Sequence, residues 1–520
     1  MKQLYDTSHI PAKYQFDFTN QDSYLLNGEL KKWSGPVTEV KSAVYLKGVS
    51  GELEPATLGT IPNMSEVEAL NALDAAVDAY DNGKGCWPQL SLLERLSHIE
   101  DFLEYLKPTK EAVVKMMMWE IGKSYEDSCA EFDRTITYIE DTIREVKILD
   151  SIQNQIQSHS GINAIVKRSP LGVVLCMGPY NYPLNEGFCL LIPALLCGNT
   201  AVFKPARYGV LLLVPLVQAF QKCFPKGVVN FIYGSGHTLA TPIMKSGKVD
   251  VLALIGNSSS ANALLGLHPK PNRLKLVLGL EAKNVAIILK DSDLDVAVNE
   301  TVLGSLAFNG QRCTALKIIF VQEEISEEFN ERFAKKVDEL KIGMPWEKGV
   351  QITPLPEPHK PDYIQELIDN AKKYGADILN INGNIKIKNL VFPTVVYPSN
   401  EKMKVFHEEQ FGPIVPIASF KSAEEALGYI ENSRYGQQVS LFSGSSDSLD
   451  PLVRILQHQV SRVNINTKCQ RGPDVYPFVG RKDSAVSALS VLDAIESFSI
   501  KSMIALRSGS KRSNFLKELL

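Results

Sequence analysis

The chain is predicted to have an α/β fold with two successive α/β domains, and three observations support this. Short β-rich runs alternate with helical segments from residue 172 onward, a second series of the same kind follows residue 313, and a region of purely helical pattern precedes both. Strands of four to eight residues joined through helices require right-handed crossovers, and therefore a parallel sheet covered on both faces. We expect a doubly wound domain, which binds ligands at the carboxyl ends of its strands, and a second domain that begins near residue 280.

Each element follows from a local pattern. Residues 92–149 carry apolar side chains at spacings of three and four, which predicts helices. The β-rich runs of the first series are GVVLCM, TAVFK, GVVNFIY, VLALIG and LKLVLG. Those of the second series are KIIFV, LVFPTVV, IVPIASF, QVSLFS and RVNIN, with helical runs such as ISEEFNERFAKKVDEL between them.

The C-terminal segment FSIKSMIAL alternates apolar with polar or small residues at period two, which predicts an isolated strand. Such a strand needs a partner, either within its own subunit or in a second copy of the chain. The tail SGSKRSNFLKELL predicts either a short helix or no fixed structure, and no role is assigned to it.

Composition and charge describe an ordinary enzyme-sized globular chain. Its 520 residues are 44% hydrophobic and 22% charged, which is enough for two or three domains with their own cores. The formal charge of -4 is spread without long runs of one sign, so no nucleic acid or membrane surface is expected as a partner. The N-terminal segment lacks a signal-peptide pattern and the longest apolar stretches are short and contain proline, so we expect a cytoplasmic protein.

The eight cysteines and eight histidines are scattered along the chain, without CxxC or HExxH spacing. Paired spacing is typical of zinc ligands, and dense cysteines are typical of disulfide-stabilised secreted domains. Neither a metal site nor disulfide bonds are therefore expected.

One cysteine stands out chemically. Cys313 in LAFNGQRCTALK directly follows the cation of Arg312, and a nearby cation can favour the thiolate that a nucleophilic cysteine needs. The alternative is a cysteine that only fills space in the core, which is the commoner use of this residue.

Two further motifs lie just past predicted strands. Asn181 in CMGPYNYPLNEG is placed to donate a hydrogen bond to an oxyanion, although an Asx turn between prolines is the simpler alternative. Lys204 and Arg207 in GNTAVFKPAR lie where a nucleotide ribose and its phosphate would bind, or form a solvated pair at a helix start. The YGSG segment lacks the third glycine of GxGxxG and is not interpreted as a dinucleotide motif.

Taken together, five motifs resemble the aldehyde dehydrogenase superfamily in their order and spacing: PYNYP, GNTAVFKPA, AKNVAIILKDSDLD, FNGQRCT and EEQFGPIVP, over about residues 170–415. Within it the chain is most similar to the NADP-dependent, non-phosphorylating glyceraldehyde-3-phosphate dehydrogenases. This resemblance implies a Rossmann-type cofactor domain (31–148 and 166–279), an α/β catalytic domain (280–485), a small β oligomerisation element (149–165 and 486–507) and a tail (508–520). It also implies a homo-oligomer, by analogy a tetramer.

The resemblance implies a role for Cys313 as the nucleophile that attacks the aldehyde and forms a thiohemiacetal. The amide of Asn181 and the backbone N–H of Cys313 would hold the oxyanion. Transfer of a hydride to the nicotinamide would leave a thioester, which a glutamate-activated water hydrolyses to the acid.

Cofactor contacts are implied by position: Lys204 on the adenosine ribose, Gly256 and Asn257 near the pyrophosphate, Glu409 on the nicotinamide ribose and Phe411 against the nicotinamide. Many NAD-preferring relatives carry a glutamate at the position of Arg207, which would repel a 2′-phosphate. Since Arg207 reverses that charge, NADP is the expected cofactor, with NAD as the alternative.

The substrate residues implied by the resemblance come from separate segments and include three arginines: Arg134, Tyr182, Arg312, Thr314 and Arg471. Guanidinium groups suit a phosphate through bidentate hydrogen bonds, which favours a phosphorylated aldehyde. Because arginines also bind carboxylates, a dehydrogenase for another small acidic aldehyde, such as a semialdehyde, is the alternative enzyme.

The chain departs from the superfamily at its usual ELGGK motif, where it reads GLEAK from Gly279 to Lys283. Gly279 stands in the place of the general-base glutamate, and Glu281 is the nearest carboxylate, displaced by up to about 7 Å in an extended chain. We expect Glu281 to be the base, the alternatives being another acid or an impaired hydrolysis step. This motif also leaves open a homologue that has lost hydrolysis and acts as a binding or structural subunit.

Overall fold

The computed structural model describes residues 9–48, 50–509 and 515–518. The α-helices are α1 (Glu66–Tyr80), α2 (Cys86–Gln89), α3 (Leu92–Leu106), α4 (Lys110–Ile121), α5 (Tyr125–Gln153), α6 (Asn185–Leu196), α7 (Val217–Cys223), α8 (Gly236–Lys245), α9 (Ser258–Leu267), α10 (Leu294–Leu306), α11 (Glu323–Asp338), α12 (Lys360–Lys373), α13 (Lys404–His407), α14 (Ala423–Asn432), α15 (Ser446–Leu456), α16 (Val491–Ser497) and α17 (Phe515–Glu518). Short 3-10 helices span Ala12–Tyr14, Asp81–Gly83, Lys107–Thr109, Leu211–Leu213 and Ala307–Gly310.

The strands are β1 (Thr19–Asn20), β2 (Ser23–Leu26), β3 (Glu29–Lys32), β4 (Val37–Lys47), β5 (Leu53–Pro62), β6 (Gln157–His159), β7 (Ile162–Pro170), β8 (Val173–Met177), β9 (Thr200–Lys204), β10 (Val229–Phe231), β11 (Val251–Ile255), β12 (Lys275–Gly279), β13 (Asn284–Ile288), β14 (Leu316–Gln322), β15 (Asp377–Ile378), β16 (Lys386–Ile387), β17 (Leu390–Val391), β18 (Thr394–Tyr397), β19 (Ile414–Phe420), β20 (Tyr435–Gly436), β21 (Gln438–Phe442), β22 (Arg462–Ile465), β23 (Arg481–Lys482), β24 (Ala485–Val486) and β25 (Ser499–Arg507).

The first large sheet has the order β10-β9-β8-β11-β12-β24. Its first five strands are parallel, and β24 joins antiparallel at the edge. All residues of β9 are buried, as are nearly all of β8 and β11, because helices such as α1 and α6 pack against the sheet. The predicted doubly wound α/β domain is confirmed.

The second large sheet has the order β15-β18-β19-β14-β13-β21-β22 and is parallel except for β15. Alternate residues of β13 enter two different cores: Val285 and Ile287 join one, while Ala286 and Ile288 join the other. Since successive side chains of a strand point to opposite faces, both faces of this sheet are covered. This is the second α/β domain that the alternating pattern predicted.

The predicted C-terminal strand, β25, finds its partner within its own chain. It pairs antiparallel with β7 from Ser499 opposite Pro170 to Arg507 opposite Ile162, in a three-stranded sheet of order β25-β7-β6. In the tail, Phe515–Glu518 forms one helical turn, while residues 510–514 and 519–520 lie outside the described residues. Across the described ranges, every helix is too short or too polar to cross a membrane.

Candidate active site

A cavity of about 580 Å³ lies at the carboxyl ends of the first sheet, where parallel sheets of this kind bind ligands. Its walls come from the residues that follow β8, β9, β11 and β12, together with Cys313 and residues from the second half of the chain. The predicted site residues among them are Asn181, Arg207, Gly256, Asn257, Glu281, Cys313, Glu409 and Phe411. The cavity size suits a small-molecule ligand or cofactor.

A tight turn presents Cys313 to this cavity. Phe308, Asn309 and Gly310 all have left-handed backbone conformations, with φ of 48°, 56° and 72°. The first two are uncommon for residues with a side chain, and such strained positions cluster at functional sites. Asn309 is held there because its side chain donates to the Thr353 carbonyl at 3.0 Å and accepts from the Thr353 N–H at 2.9 Å.

The Cys313 thiol lies among opposing charges. Burial raises the pKa of the thiol above its ordinary value, and the carboxylate of Glu186 is the charged neighbour that raises it most. Lys317 and Arg471 lower this pKa, and Glu409 raises it. The thiol is therefore protonated near neutral pH in this state, and a nucleophilic role requires that a proton leave it when ligands bind.

Asn181 is held close to the Cys313 segment. Its Nδ2 atom donates to the main-chain carbonyl of Gln311 at 2.8 Å. The main-chain carbonyl of Asn181 accepts from Lys123 Nζ at 2.8 Å. Because a side-chain amide carries two hydrogens, one remains for a substrate oxygen. The neighbouring Tyr180 hydroxyl donates to Glu357 Oε2 at 2.8 Å and also lies 3.2 Å from Gln311 Oε1.

A buried ion pair supports the Asn181 loop from below. The side chains of Lys123 and Glu131 are both fully buried and in contact, and Glu131 Oε1 accepts from the N–H groups of Leu184 and Asn185 at the start of α6. The Lys123 ammonium also lies 3.6 Å from the ring centroid of Tyr182, a close cation–π contact. Lys123 and Glu131 therefore position the Asn181 loop and α6 together.

The candidate cofactor side of the cavity has one exposed cation, Arg207, whose guanidinium lies 5.7 Å from the ring centroid of Tyr208. Lys204 is buried and is not among the described residues that line the cavity; its Nζ donates to the Pro205 carbonyl at 2.9 Å. Burial lowers the pKa of Lys204 to about 8. The loop after β9 is anchored by Glu120, whose carboxylate accepts from the N–H groups of Val210 and Leu211 at 2.8 and 2.9 Å.

The start of α9 forms the floor beside Gly256. Asn257 caps this helix, since its side chain accepts from the Ser260 N–H at 2.7 Å. The carboxylate of Glu281 accepts from the Ser258 N–H at 2.8 Å and also contacts the Ser258 hydroxyl. A carboxylate thus occupies the position at this helix start that an anionic cofactor group would take.

Glu409 and Phe411 line the opposite wall. Glu409 Oε1 accepts from Lys317 Nζ at 2.5 Å and from the Ala282 N–H at 3.1 Å. Phe411 packs edge-on against Tyr180, with ring centroids 6.0 Å apart. A carboxylate beside an aromatic ring fits a ribose and a flat heteroaromatic ring, so these residues fit the nicotinamide half of a dinucleotide.

Two of the predicted phosphate ligands, Arg134 and Arg471, are connected through carboxylate side chains. Arg134 binds Asp474 with two hydrogen bonds of 2.9 and 2.7 Å, and Arg471 contacts both Asp474, at 3.3 Å, and Glu186. Arg471 lowers the pKa of the Cys313 thiol, but neither Arg134 nor Arg471 is among the described residues that line the cavity. Of the four charged side chains in this cluster, Glu186 is the one that lines it.

The other predicted substrate residues, Tyr182, Arg312 and Thr314, are not among the described residues that line the cavity. Arg312 donates through Nη2 to Thr314 Oγ1 at 3.1 Å. The Tyr182 ring packs against Phe308, with centroids 6.2 Å apart. The structure therefore does not bring Arg134, Arg312 and Arg471 together as one set of unpaired cations.

Sequence reasoning missed Lys123, Glu131, Glu186 and Asp474. A signal for Glu131 was present, because it continues the buried stripe of α5 that contains Thr135, Tyr138 and Thr142 at spacings of three and four. A carboxylate at such a position needs a buried partner. Asp474 lies three positions after Arg471, so that contact is local. Nothing local indicates the contact of Asp474 with Arg134 or that of Glu186 with Arg471, because these partners are distant in sequence.

Comparison with known families gives a single clear result. A family model described as the aldehyde dehydrogenase family matches residues 51–503, which is most of the chain. The chain belongs to the aldehyde dehydrogenase family. The resemblance inferred from the five motifs is confirmed, and this aldehyde dehydrogenase has the α/β fold expected of it.

Several known proteins are similar to this aldehyde dehydrogenase in sequence or structure. The NADP-dependent glyceraldehyde-3-phosphate dehydrogenase of Streptococcus equinus is 31% identical over 497 residues, covering 94% of this chain and 99% of the relative. The lactaldehyde dehydrogenase of Methanococcus maripaludis is 28% identical, covering 85% of this chain and 94% of the relative. The crystal structure of NADP-dependent glyceraldehyde-3-phosphate dehydrogenase from Bacillus halodurans, complexed with NADP, matches with a TM-score of 0.85 and 30% identity, covering 95% of this chain and all of that one.

Proposed function

We propose that this aldehyde dehydrogenase oxidises glyceraldehyde 3-phosphate to 3-phosphoglycerate with NADP and without inorganic phosphate. The observation that carries the proposal is the placement of Cys313 and Asn181 on one cavity at the carboxyl ends of the first sheet. The similarity to two NADP-dependent glyceraldehyde-3-phosphate dehydrogenases, at 31% and 30% identity, supports this choice of substrate and cofactor.

In the proposed reaction, Cys313 loses its proton to solvent and its sulfur bonds to the aldehyde carbon, while the carbonyl electron pair moves to oxygen. The second N–H of the Asn181 amide holds that oxyanion, aided by the backbone N–H of Cys313. As the oxyanion returns to a carbonyl, a hydride leaves the same carbon, and a bound nicotinamide would supply its acceptor. The thioester carbon left on Cys313 is then attacked by water, the C–S bond breaks, and the acid leaves with Cys313 restored.

The side chains that would bind the cofactor suit NADP. Arg207 is an exposed cation on the cavity and suits a 2′-phosphate, and Gly256 and Asn257 lie at the α9 start for the pyrophosphate. The buried Lys204 would hold the adenosine ribose. Glu409 and Phe411 would hold the nicotinamide ribose and ring. Arginine selects for the extra phosphate, so NAD is the weaker alternative cofactor.

Glu281 stays our candidate base, but in this structure its carboxylate is bound elsewhere and would have to move to act on water. Its carboxylate contacts Ser258 at the α9 start, and it must turn from there toward Cys313 to activate water. We expect a pyrophosphate at the α9 start to displace it, because both anions would compete for the same donors.

The test is NADPH formation by purified protein with NADP and glyceraldehyde 3-phosphate in a buffer free of inorganic phosphate. We expect steady turnover in the wild type and none in Cys313→Ser, whose hydroxyl is a much poorer nucleophile at neutral pH. Equal activity in Cys313→Ser would refute the assignment of the nucleophile. A wild type that oxidises only unphosphorylated aldehydes would refute the assignment of the substrate.

A second candidate substrate is a small unphosphorylated aldehyde of the lactaldehyde type. The observation that favours it is the charge balance near Cys313, where Arg134 and Arg471 are paired with Asp474 and Glu186. The similarity to a lactaldehyde dehydrogenase at 28% identity agrees with this alternative.

We also propose a homo-oligomer, by analogy a tetramer, in the cytoplasm. Strand β25 lies at the edge of its sheet and exposes Ile500, Met503 and Ile504. An unpaired edge with apolar side chains is typical of a strand that a second copy covers.

A further inference from the structure

A row of four largely buried charges runs close to Cys313. It consists of Arg134, Asp474, Arg471 and Glu186, each in contact with the next. The Arg471 side chain is only 3% exposed and that of Glu186 only 9%. Two guanidinium groups are matched by two carboxylates, so the row as a whole is neutral.

Glu186 is the member of this row that faces the cavity, which it lines together with Cys313 and Asn181. It lies in the first turn of α6, directly after the loop that carries Asn181, and its backbone N–H donates to the Tyr182 carbonyl at 3.0 Å. Asp474, in contrast, is shared between Arg134 and Arg471. From the cavity, the Arg471 guanidinium is therefore reached past the Glu186 carboxylate.

A substrate anion and the Glu186 carboxylate would compete for the same guanidinium. A phosphate carries a charge of about -1.5 to -2 at neutral pH, and placing it beside a buried carboxylate brings like charges together. Displacing Glu186 from Arg471 costs free energy as well, because the carboxylate then needs new partners or solvent. An uncharged aldehyde faces neither cost.

We propose that Glu186 is a specificity-determining residue: its carboxylate is an internal anion that occupies Arg471 on the cavity side, and an anionic group of the aldehyde binds there only by displacing it. This inference rests on the proposed function in one respect, the assignment of Cys313 as the nucleophile. It predicts that removing the carboxylate charge improves the binding of anionic aldehydes relative to neutral ones.

The test compares wild type with Glu186→Gln by steady-state kinetics on glyceraldehyde 3-phosphate and on glyceraldehyde. Glutamine keeps the shape of the side chain and leaves the row with one unmatched positive charge. We expect the ratio of the KM for the phosphorylated aldehyde to the KM for glyceraldehyde to fall roughly tenfold, a change of about 1.4 kcal/mol. Inorganic phosphate, added as a competitive inhibitor of glyceraldehyde oxidation, should bind correspondingly tighter.

The double variant Glu186→Gln/Arg471→Met is the matched control. It removes the guanidinium that the freed site depends on, so the gain in phosphate affinity must disappear. A gain that persists in the double variant would overturn the assignment of Arg471 as the competing cation. If Glu186→Gln does not fold, Glu186→Asp, which withdraws the carboxylate from Arg471 by one methylene, should lower the same KM ratio by roughly threefold.

Three further results overturn the proposal. One is an unchanged KM ratio and unchanged phosphate inhibition in folded Glu186→Gln. The second is an unchanged ratio in Glu186→Asp when Glu186→Gln does not fold. The third is a single burst of NADPH without further turnover on both aldehydes, which would make Glu186 the base for hydrolysis instead. A wild type inactive on glyceraldehyde 3-phosphate would refute only the proposed substrate, because the phosphate-inhibition arm still measures the Glu186 effect.

Discussion

The carboxylate of Glu281 accepts a hydrogen bond of 2.8 Å from the backbone N–H of Ser258. This contact links the candidate base to the helix start where the cofactor pyrophosphate is expected. We therefore expect cofactor binding to release Glu281, since both anions cannot hold the same donors.

The first prediction concerns that carboxylate. Glu281→Gln should release about one equivalent of NADPH per active site and then stop, because hydride transfer needs no base at this position but thioester hydrolysis does. Rapid-mixing absorbance measurements would resolve the burst from the steady state. Glu186→Gln is the comparison variant and should turn over without a burst. Steady turnover in Glu281→Gln would mean that another acid activates the water.

The second prediction concerns cofactor choice. Arg207→Glu should move the preference from NADP toward NAD, because a glutamate repels the 2′-phosphate and accepts from the ribose hydroxyls. Loss of a hydrogen bond to a charged group costs about 1.5–3 kcal/mol, so kcat/KM for NADP should fall by roughly 10- to 100-fold. Arg207→Met separates loss of attraction from added repulsion and should show a smaller change. An unaltered NADP to NAD ratio in Arg207→Glu would place the 2′-phosphate elsewhere.

The third prediction concerns the buried pair beneath the Asn181 loop. Lys123→Met leaves Glu131 buried without its cation, which should lower the free energy of unfolding by about 3–5 kcal/mol. Urea denaturation would measure this. In Lys123→Met/Glu131→Leu neither partner is left charged, so much of the loss should be recovered. If both variants were equally unstable, the pair would matter through the hydrogen bonds to α6 rather than through charge.

The fourth prediction uses the raised pKa of the Cys313 thiol. Alkylation of Cys313 by iodoacetamide should be slow near neutral pH and accelerate as pH rises, because only the thiolate reacts. Since Glu186 raises this pKa, Glu186→Gln should lower it and accelerate alkylation at pH 8. Peptide mass spectrometry can follow Cys313 with the exposed Cys86 as internal reference. Slower alkylation in the variant would contradict the charge relationship.

The fifth prediction follows from Lys204, whose pKa is lowered to about 8 by burial. Below that pH the ammonium is charged and can donate to the cofactor, and above it the proton is lost. NADP affinity should therefore decline as pH rises through about 8, by up to roughly tenfold per pH unit. Fluorescence titration at several pH values would show this decline in wild type and not in Lys204→Met, which carries no titrating group. The same decline in Lys204→Met would assign it to another group.

Periodicity predicted the two α/β domains well because their strands are buried on both faces. Runs such as TAVFK and VLALIG became β9 and β11, whose apolar residues need no distant information to be recognised. The candidate site was predicted less completely than the fold. Positions next to strand ends, such as Asn181 and Gly256, reached the cavity because topology alone places them there.

The partners of the charged side chains were not predictable in the same way. Arg134 and Asp474 are 340 positions apart, and Glu186 and Arg471 are also far apart in sequence. Only the contact between Arg471 and Asp474 joins near neighbours. The local sequence around one residue gives no indication of a contact with a residue so far away. A motif can therefore nominate an arginine as a phosphate ligand without revealing that a carboxylate already contacts it.

By itself, the sequence determined the α/β fold, the family and a nucleophile candidate in Cys313, because these depend on local hydrophobic pattern and on short motifs. Only the tertiary structure decided that Glu281 contacts Ser258 and that Glu186 stands between Arg471 and the cavity. The physical reason is that burial strengthens electrostatic interactions and leaves no solvent to replace a missing partner. The partner of each buried charged side chain therefore depends on which group the fold places beside it.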